Sequence, residues 1–405
     1  MIRALALSIL LFWPLGALAQ DFSGLARLDV AQSLVRDAGE GLEVTLYLSQ
    51  PVPFRVFTLD GPRRLVMDFR EVDWRGASRA GLLNADNATD LRFGAFRPGW
   101  SRLVVDLAGP IAIDKAGMKV DRLDGTAVVR VLLTPTDAAR FAASAGAPPD
   151  PDWDIHATDR PTLAAPAEGE DGDLVVVIDP GHGGIDPGAE RGGVKEADVI
   201  LQFSIELEEA LARAGGIRPV LTRREDIFVP LEERMTIARA AGADILLSLH
   251  ADALDDEVTR GASVYTLNAE AQDGASARMV ERHDRGDLLS GLDLTGQDDT
   301  VATILMDLAR LETGPESLRL ADQIATALDD AGATMNSAPR RSAPLAVLTA
   351  ADFASVLIEI GFLSNAQDRE TIASPAGRAR IIGGIVQGVQ RWDAERRARA
   401  PLLRQ

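Results

Sequence analysis

The sequence predicts two domains: an N-terminal all-β sandwich, then a C-terminal α/β domain on a central, mostly parallel twisted sheet flanked by helices. Residues 24–138 alternate apolar and polar in short runs separated by Gly, Pro and Asp, the period of half-buried strands. From Leu174 the texture changes to unbroken apolar runs, as strands buried on both faces require, and these alternate with helical stretches. Between the two lies a segment, 139–173, too rich in Ala, Pro, Gly and Asp to build a core, so it reads as a flexible acidic linker.

The elements follow in chain order. Arg3, an almost wholly apolar run from Ala4 to Leu15, and the small residues Ala17 and Ala19 ahead of Gln20 have the layout of a cleavable export signal over residues 1–19. The run is short for a bilayer span and no later stretch approaches one, so an exported chain with no integral membrane segment is expected. Strands are expected at 42–48, 55–59, 64–69, 101–107 and 127–133, the second and third divided by the turn Asp60-Gly61-Pro62. The linker holds Pro148, Pro149, Pro151, Pro161 and Pro166, together with His156, read as solvated. In the second domain, 174–395, strands are expected at 174–178, 220–222, 244–249 and 355–360, with helices at about 197–214, 231–241 and 375–391. An insertion spans 269–316; its second half puts Val301, Ile304, Leu305, Leu308 and Leu311 on one helical face, expected to pack on the domain. Residues 396–405 are expected to form a tail.

Composition narrows the function. The 405 residues carry 61 acids against 42 bases, a formal net charge of −19. Nucleic acid as a partner is excluded, because its phosphates demand Lys and Arg. The chain has no cysteine, which rules out thiol catalysis and thiolate-bound metal. Any metal must be held by His, Asp and Glu, and there are four histidines: His156, His182, His250 and His283.

Two of them are placed alike. In Val177-Ile178-Asp179-Pro180-Gly181-His182-Gly183-Gly184 a buried strand ends and delivers a histidine in a Gly-rich turn; in Leu246-Leu247-Ser248-Leu249-His250 another strand does the same. Ligands of open α/β sheets bind outside the carboxyl ends of the strands, so both imidazoles can face one site. A catalytic metal centre commonly adds a carboxylate and leaves a position for water. Glu196, fourteen residues past His182 at a helix start, is the natural third ligand, the alternative being a favourable partner of the helix dipole. Glu359 interrupts an apolar strand between Ile358 and Ile360. A buried carboxylate needs a partner. A structural salt bridge would serve, but at this sheet end a general base and acid is the better reading, deprotonating water and passing the proton to a leaving nitrogen.

These segments, with Lys195-Glu196, Leu221-Thr222-Arg223, Leu231 with Arg234, Ser248 to Asp252, and Glu359 to Asn365, resemble the type 3 family of N-acetylmuramoyl-L-alanine amidases along the whole second domain. The resemblance implies one zinc ion held by His182, Glu196 and His250, Glu359 as catalytic acid/base, and hydrolysis of the amide joining N-acetylmuramic acid to L-Ala of the peptidoglycan stem. The front half, through 52–59 and 62–68, is similar to the AMIN domain that precedes such enzymes, which implies peptidoglycan or septal targeting. With the insertion, the whole resembles periplasmic, division-associated amidases that act in daughter-cell separation. These are autoinhibited by an insertion helix that offers a Glu to the metal, and are switched on by an activator of the LytM-domain type. His283 stands where that Glu is frequent, which implies an imidazole cap on the metal; Glu281 and Asp284 compete for the role, and a solvated charged helix is the alternative. Asp252 replaces a frequent Asn, and Ala354 a frequent Pro; neither is expected to touch the four central residues. Arg223 and Arg234 are candidate contacts for stem-peptide carboxylates, with structural ion pairing as the alternative. Two other function classes compete: a non-catalytic wall-binding or activator protein on the same fold, and a zinc peptidoglycan peptidase.

Overall fold

The structure, a computed structural model, describes residues 25–399 except 71, 98, 122–123, 148–171, 255, 275, 278, 281–299 and 351, with the backbone alone at 97 and over 300–312. The expected export signal, His156 with most of the linker, and the 281–289 stretch with Glu281, His283 and Asp284 lie outside the described residues, as do the side chains from Val301 to Leu311.

The first domain runs through β1 (Ala26–Arg27), β2 (Leu34–Ala38), β3 (Gly41–Leu48), β4 (Phe54–Leu59), β5 (Arg64–Arg70), β6 (Val72–Asp73), α1 (Arg79–Leu82), β7 (Leu83–Asn84), β8 (Ala88–Arg97), β9 (Trp100–Leu107), β10 (Ile111–Val120), β11 (Ala127–Pro135) and α2 (Ala138–Ser144). Two sheets form the predicted sandwich, a five-stranded one ordered β10-β11-β3-β2-β7 and a four-stranded one ordered β4-β5-β9-β8. Every second residue points inward: Leu42, Val44, Leu46 and Leu48 from one sheet meet Leu65, Met67, Phe69, Leu103 and Val105 from the other in one core. β10 escaped the sequence reading because Asp114, Lys115, Gly117 and Lys119 break its apolar alternation and most of it stays exposed at a sheet edge.

The expected linker start at 139 is corrected. Residues 138–144 form α2, capped by the Asp137 side chain, and Phe141 is fully buried in the sandwich core. One aromatic ring supplies enough apolar burial to dock an otherwise Ala-rich segment.

The second domain runs through β12 (Leu174–Pro180), the hairpin β13 (Glu190–Arg191) and β14 (Val194–Lys195), α3 (Glu196–Ala214), β15 (Ile217–Leu221), α4 (Leu231–Ala241), β16 (Ile245–His250), β17 (Ala262–Leu267), α5 (Thr300–Asp330), β18 (Met335–Ala343), a 3-10 turn at Ala346–Leu348, β19 (Ala354–Glu359), α6 (Ala366–Ala373) and α7 (Pro375–Arg399). Its six-stranded sheet has the order β15-β12-β16-β19-β17-β18. The first four strands are mutually parallel; β17 is antiparallel to β19 and parallel to β18. One face, with Val176, Ile178, Leu247 and Ile358, packs on α3, α5 and α7; the other, with Val175, Val177, Leu246 and Leu357, packs on α4 and the 3-10 turn. Helix α7 crosses α5 so closely that a Cβ on Gly388 would lie 2.6 Å from the Ile324 backbone.

Two more boundaries change. α5 continues unbroken from Thr300 to Asp330, so the expected insertion limit at 316 falls inside one helix. α7 continues to Arg399 where a tail was expected from 396: Arg396 reaches Asp244 and Asp393, Arg397 reaches Asp393, and Arg399 reaches Glu316, cations that also favour a helix C-terminus. Among the described residues no helix is long and apolar enough to cross a membrane. Truncating Phe141 to alanine is expected to destabilise the first domain by about 3–5 kcal/mol, read as a lower denaturant midpoint; an unmoved midpoint would show that α2 does not belong to that core.

Candidate metal centre and active site

β12, β16 and β19 end side by side, and each delivers one group. The register places His250 directly beside Glu359, with Asp179 beside Ser248 one strand over. His182 follows β12 by two residues. It is the sole non-glycine with positive φ among the described residues, at 59°. Such backbone costs on the order of 1–3 kcal/mol, and its surroundings hold it in place: Arg234 Nη2 donates to the His182 carbonyl at 2.8 Å. Gly181 has to lack a side chain, because a Cβ there would lie 2.1 Å from the His250 ring.

Glu196, the first residue of α3, turns back into the same space. Its Oε1 lies 3.2 Å from His182 Nε2 and 3.1 Å from His250 Nδ1, and also accepts the Ala251 N–H; Oε2 accepts the Ala189 N–H. The helix-dipole and ligand readings are therefore compatible, since the carboxylate sits at a helix start and faces both imidazoles. One donor atom from each of His182, Glu196 and His250 lies within 4.8 Å of the others. A tetrahedral ion with bonds of roughly 2.0–2.2 Å sets its ligands roughly 3.3 Å apart, so the donor set and its spacing fit a divalent metal.

Charges around the three donors act strongly on one another. Burial alone would lower the His182 pKa, but the carboxylates of Asp186 and Glu196 overcome it and hold it well above its ordinary value. Burial would raise Glu196; His182 and His250 instead hold it well below the usual carboxylate range. For His250 burial prevails and its pKa is lowered, as befits a neutral imidazole donor. Asp186 Oδ2 lies 2.8 Å from His182 Nδ1 and so fixes the tautomer and aim of that ring. Sequence reading missed Asp186; its signal was a carboxylate four residues after the histidine within one Gly-rich turn.

Glu359 is fully buried. Its Oε2 accepts the Asp252 N–H at 3.0 Å, while Oε1 has no hydrogen-bond partner among the described residues. Burial, with the Asp252 and Glu196 carboxylates adding to it, pushes the Glu359 pKa well above the usual range. The expectation that Asp252 stands clear of the central residues is thus corrected: its N–H holds Glu359 and its charge raises it, because the chain turns back over β19 directly after β16.

Arg223 and Arg234 are both buried, and their guanidinium groups face the protein's own backbone. Arg223 donates to the carbonyls of Pro180, Gly181, Ala197 and Glu225. Arg234 donates to Val229, Pro180 and His182 and pairs with Asp179 at 2.7 Å. Burial, with Arg234 adding to it, pushes Arg223 down to about 10, which leaves it charged near neutrality. The structural reading of both arginines, and not contact with stem-peptide carboxylates, is the one this geometry favours: they bind the loop that carries His182. A small pocket beside the donors is lined by Phe228, Val229, Leu231 and Val347 together with His182 and His250.

The chain matches known proteins along both domains. The N-acetylmuramoyl-L-alanine amidase family (Amidase_3) matches residues 176–391, and the AMIN domain family matches residues 33–132. N-acetylmuramoyl-L-alanine amidase AmiC of Neisseria meningitidis serogroup B is 31% identical over 372 residues, 86% of this chain and 86% of the relative. N-acetylmuramoyl-L-alanine amidase AmiA of Escherichia coli K12 is 36% identical over 220 residues, 54% of this chain and 75% of the relative. Among solved structures, N-acetylmuramoyl-L-alanine amidase AmiC2 of Nostoc punctiforme is 26% identical, with a TM-score of 0.39, covering 54% of this chain and 96% of that one. With its family model spanning more than half of the sequence and a relative similar across both domains, the chain belongs to the N-acetylmuramoyl-L-alanine amidase family, its catalytic half preceded by an AMIN domain.

Proposed function

We propose that this amidase is an exported, zinc-dependent enzyme that frees stem peptides from peptidoglycan during daughter-cell separation and is restrained at rest by its insertion. The observation that carries the zinc reading is the convergence of His182, Glu196 and His250 within 4.8 Å, with Glu359 on the neighbouring strand in register with His250. With no cysteine in the chain, two imidazoles and a carboxylate are the donor set that catalytic zinc takes. When bound, zinc would polarise the scissile carbonyl and make water a stronger acid near neutrality.

The chain's own residues supply the rest. Asp186 keeps Nδ1 of His182 occupied, so Nε2 faces the metal side. Arg234 and Arg223 hold the Pro180, Gly181 and His182 carbonyls, so the loop keeps its shape as charge changes nearby. Glu359 takes the proton of the attacking water on Oε1, while the Asp252 N–H anchors Oε2, and then gives the proton to the departing L-Ala nitrogen. A raised pKa suits the second half of that task, since the carboxyl keeps its proton until the nitrogen needs it.

Export to the periplasm is supported by the apolar leader pattern and by the AMIN domain. Restraint by the insertion, with His283 as a metal cap and release by a LytM-domain activator, is supported by the resemblance of the insertion to those of division-associated relatives.

Replacing His250 by Ala is expected to abolish both zinc binding and release of stem peptides from purified sacculi; zinc content equal to the parent protein would remove His250 from the ligand set. Glu359→Gln is expected to keep zinc and lower turnover by at least about 100-fold, the usual range for losing a general acid–base; turnover within a few-fold of the parent would show that the proton travels elsewhere. Deleting 281–289 is expected to raise basal release in a chelator-sensitive manner, and a folded deletion with unchanged release would count against autoinhibition. The products distinguish the bond: free stem peptides beside intact glycan mark the amidase, whereas L-Ala left on muramic acid marks a peptidase.

A further inference from the structure

The loop that carries His182 is held from a second direction, by the other domain. β8 is the edge of its sheet, and an edge strand carries backbone groups without partners in the ladder. One of them, the Ala95 carbonyl, accepts the N–H of Ile185 at 3.1 Å. The pairing of β8 with β9 slips between Ala95 and Arg97, so Phe96 is a bulged residue turned out of the ladder. Its ring stacks on Phe228 at 6.1 Å and 20°, and Phe96, Val104, Ile185 and Phe228 form a small core of their own across the two domains. Phe96 also meets the Arg102 guanidinium, 3.6 Å from the ring centroid and itself paired with Asp68. The backbones meet without side chains between them: a Cβ on Gly94 would lie 2.4 Å from the Gly184 carbonyl oxygen.

The docked residues are those that shape the metal site. Ile185 precedes Asp186, the carboxylate 2.8 Å from His182 Nδ1. Asp186 and Gly183 exchange backbone hydrogen bonds at 3.1 and 2.8 Å, and the Gly184 N–H goes to Asp226, two residues before Phe228. The turn therefore has Arg234 on one side, the 226–228 segment below, and β8 of the AMIN domain on the outside.

We propose that the AMIN domain is a positioning element of the metal centre: docking of Ala95 and Phe96 on the 183–186 turn holds Asp186, and through it the His182 imidazole, in ligating geometry. The inference rests on the metal reading above. It makes Phe96 a positioning residue 86 positions before the ligand it serves, and makes metal affinity a property of both domains. Loss of an outer partner of a metal-bound histidine lowers metal affinity by roughly 10–100-fold, and the lower end is expected here because Asp186 itself remains.

The test uses the full chain after its leader, with three readouts: zinc affinity by chelator competition, the visible spectrum of the cobalt(II)-loaded protein, and hydrogen exchange at the Ile185 amide. Phe96→Ala and Gly94→Val are expected to speed Ile185 exchange, weaken zinc by about 10-fold and shift the cobalt bands, while Phe96→Tyr restores all three. Val129→Ala, in the core of the opposite sheet, is expected to lower the stability of the AMIN domain and leave the three readouts unchanged. Faster Ile185 exchange with parental zinc affinity and cobalt spectrum would overturn the coupling, and exchange unchanged by Gly94→Val would overturn the docking. A parent protein that binds neither metal would instead overturn the metal reading, a result distinct from either of those.

Discussion

Asp179 stands outside the His182, Glu196 and His250 donor group, yet the catalytic end of the sheet is organised around it. It is buried at the end of β12 and accepts from Thr222 after β15, from Arg234 on α4 and from Ser248 on β16. A carboxylate taken out of water demands such partners, and Arg234 and its neighbours hold it in the charged form against the effect of burial. Because Arg234 spends its remaining donors on the carbonyls of Val229, Pro180 and His182, one ion pair ties three strand ends and a helix to a loop whose geometry is otherwise unfavourable. The left-handed backbone of His182 sits within that frame, its carbonyl held by Arg234.

The same economy appears at Glu359. A parallel sheet sets neighbouring strand ends in register, so the His250 imidazole on β16 and the Glu359 carboxyl on β19 stand side by side without any loop having to bring them together. The strand keeps the group rigid and dry, and the returning Asp252 supplies both a hydrogen bond and a like charge. Burial, a fixed donor and a neighbouring anion raise a proton affinity with little freedom to relax, which is the condition general acid–base chemistry needs.

Much of this was legible from the chain because buried parallel strands leave little choice of residue. The run Leu174 to Ile178 could belong to a sheet covered on both sides and to little else, and histidines at two such strand ends declare a shared rim. The helix at 231–241 was equally plain from its period, and it lies within those bounds. What stayed hidden depends on partners distant in sequence. Asp186 gains meaning only once the turn folds it against His182; Phe96 is one aromatic among several until a bulge aims it at Phe228; Phe141 looks like part of an Ala-rich linker until the sandwich buries it. Arg223 and Arg234 were legible as charges near a site, but only the folded chain shows that backbone carbonyls claim them.

Helix α5 has a mechanical consequence. Just past Gly314-Pro315 it is bolted down: the Ser355 N–H of β19 donates to Ser317 Oγ, and the Trp392 indole and Arg399 both reach Glu316. Proline at 315 removes one rung of the helical ladder, and its ring crowds the carbonyl four residues earlier, so the rod is weakest one residue before its anchorage. A lever built this way bends at its fulcrum. Any bend in α5 would fall at 314–315, ahead of the contact to β19, the strand that carries Glu359 four residues beyond Ser355.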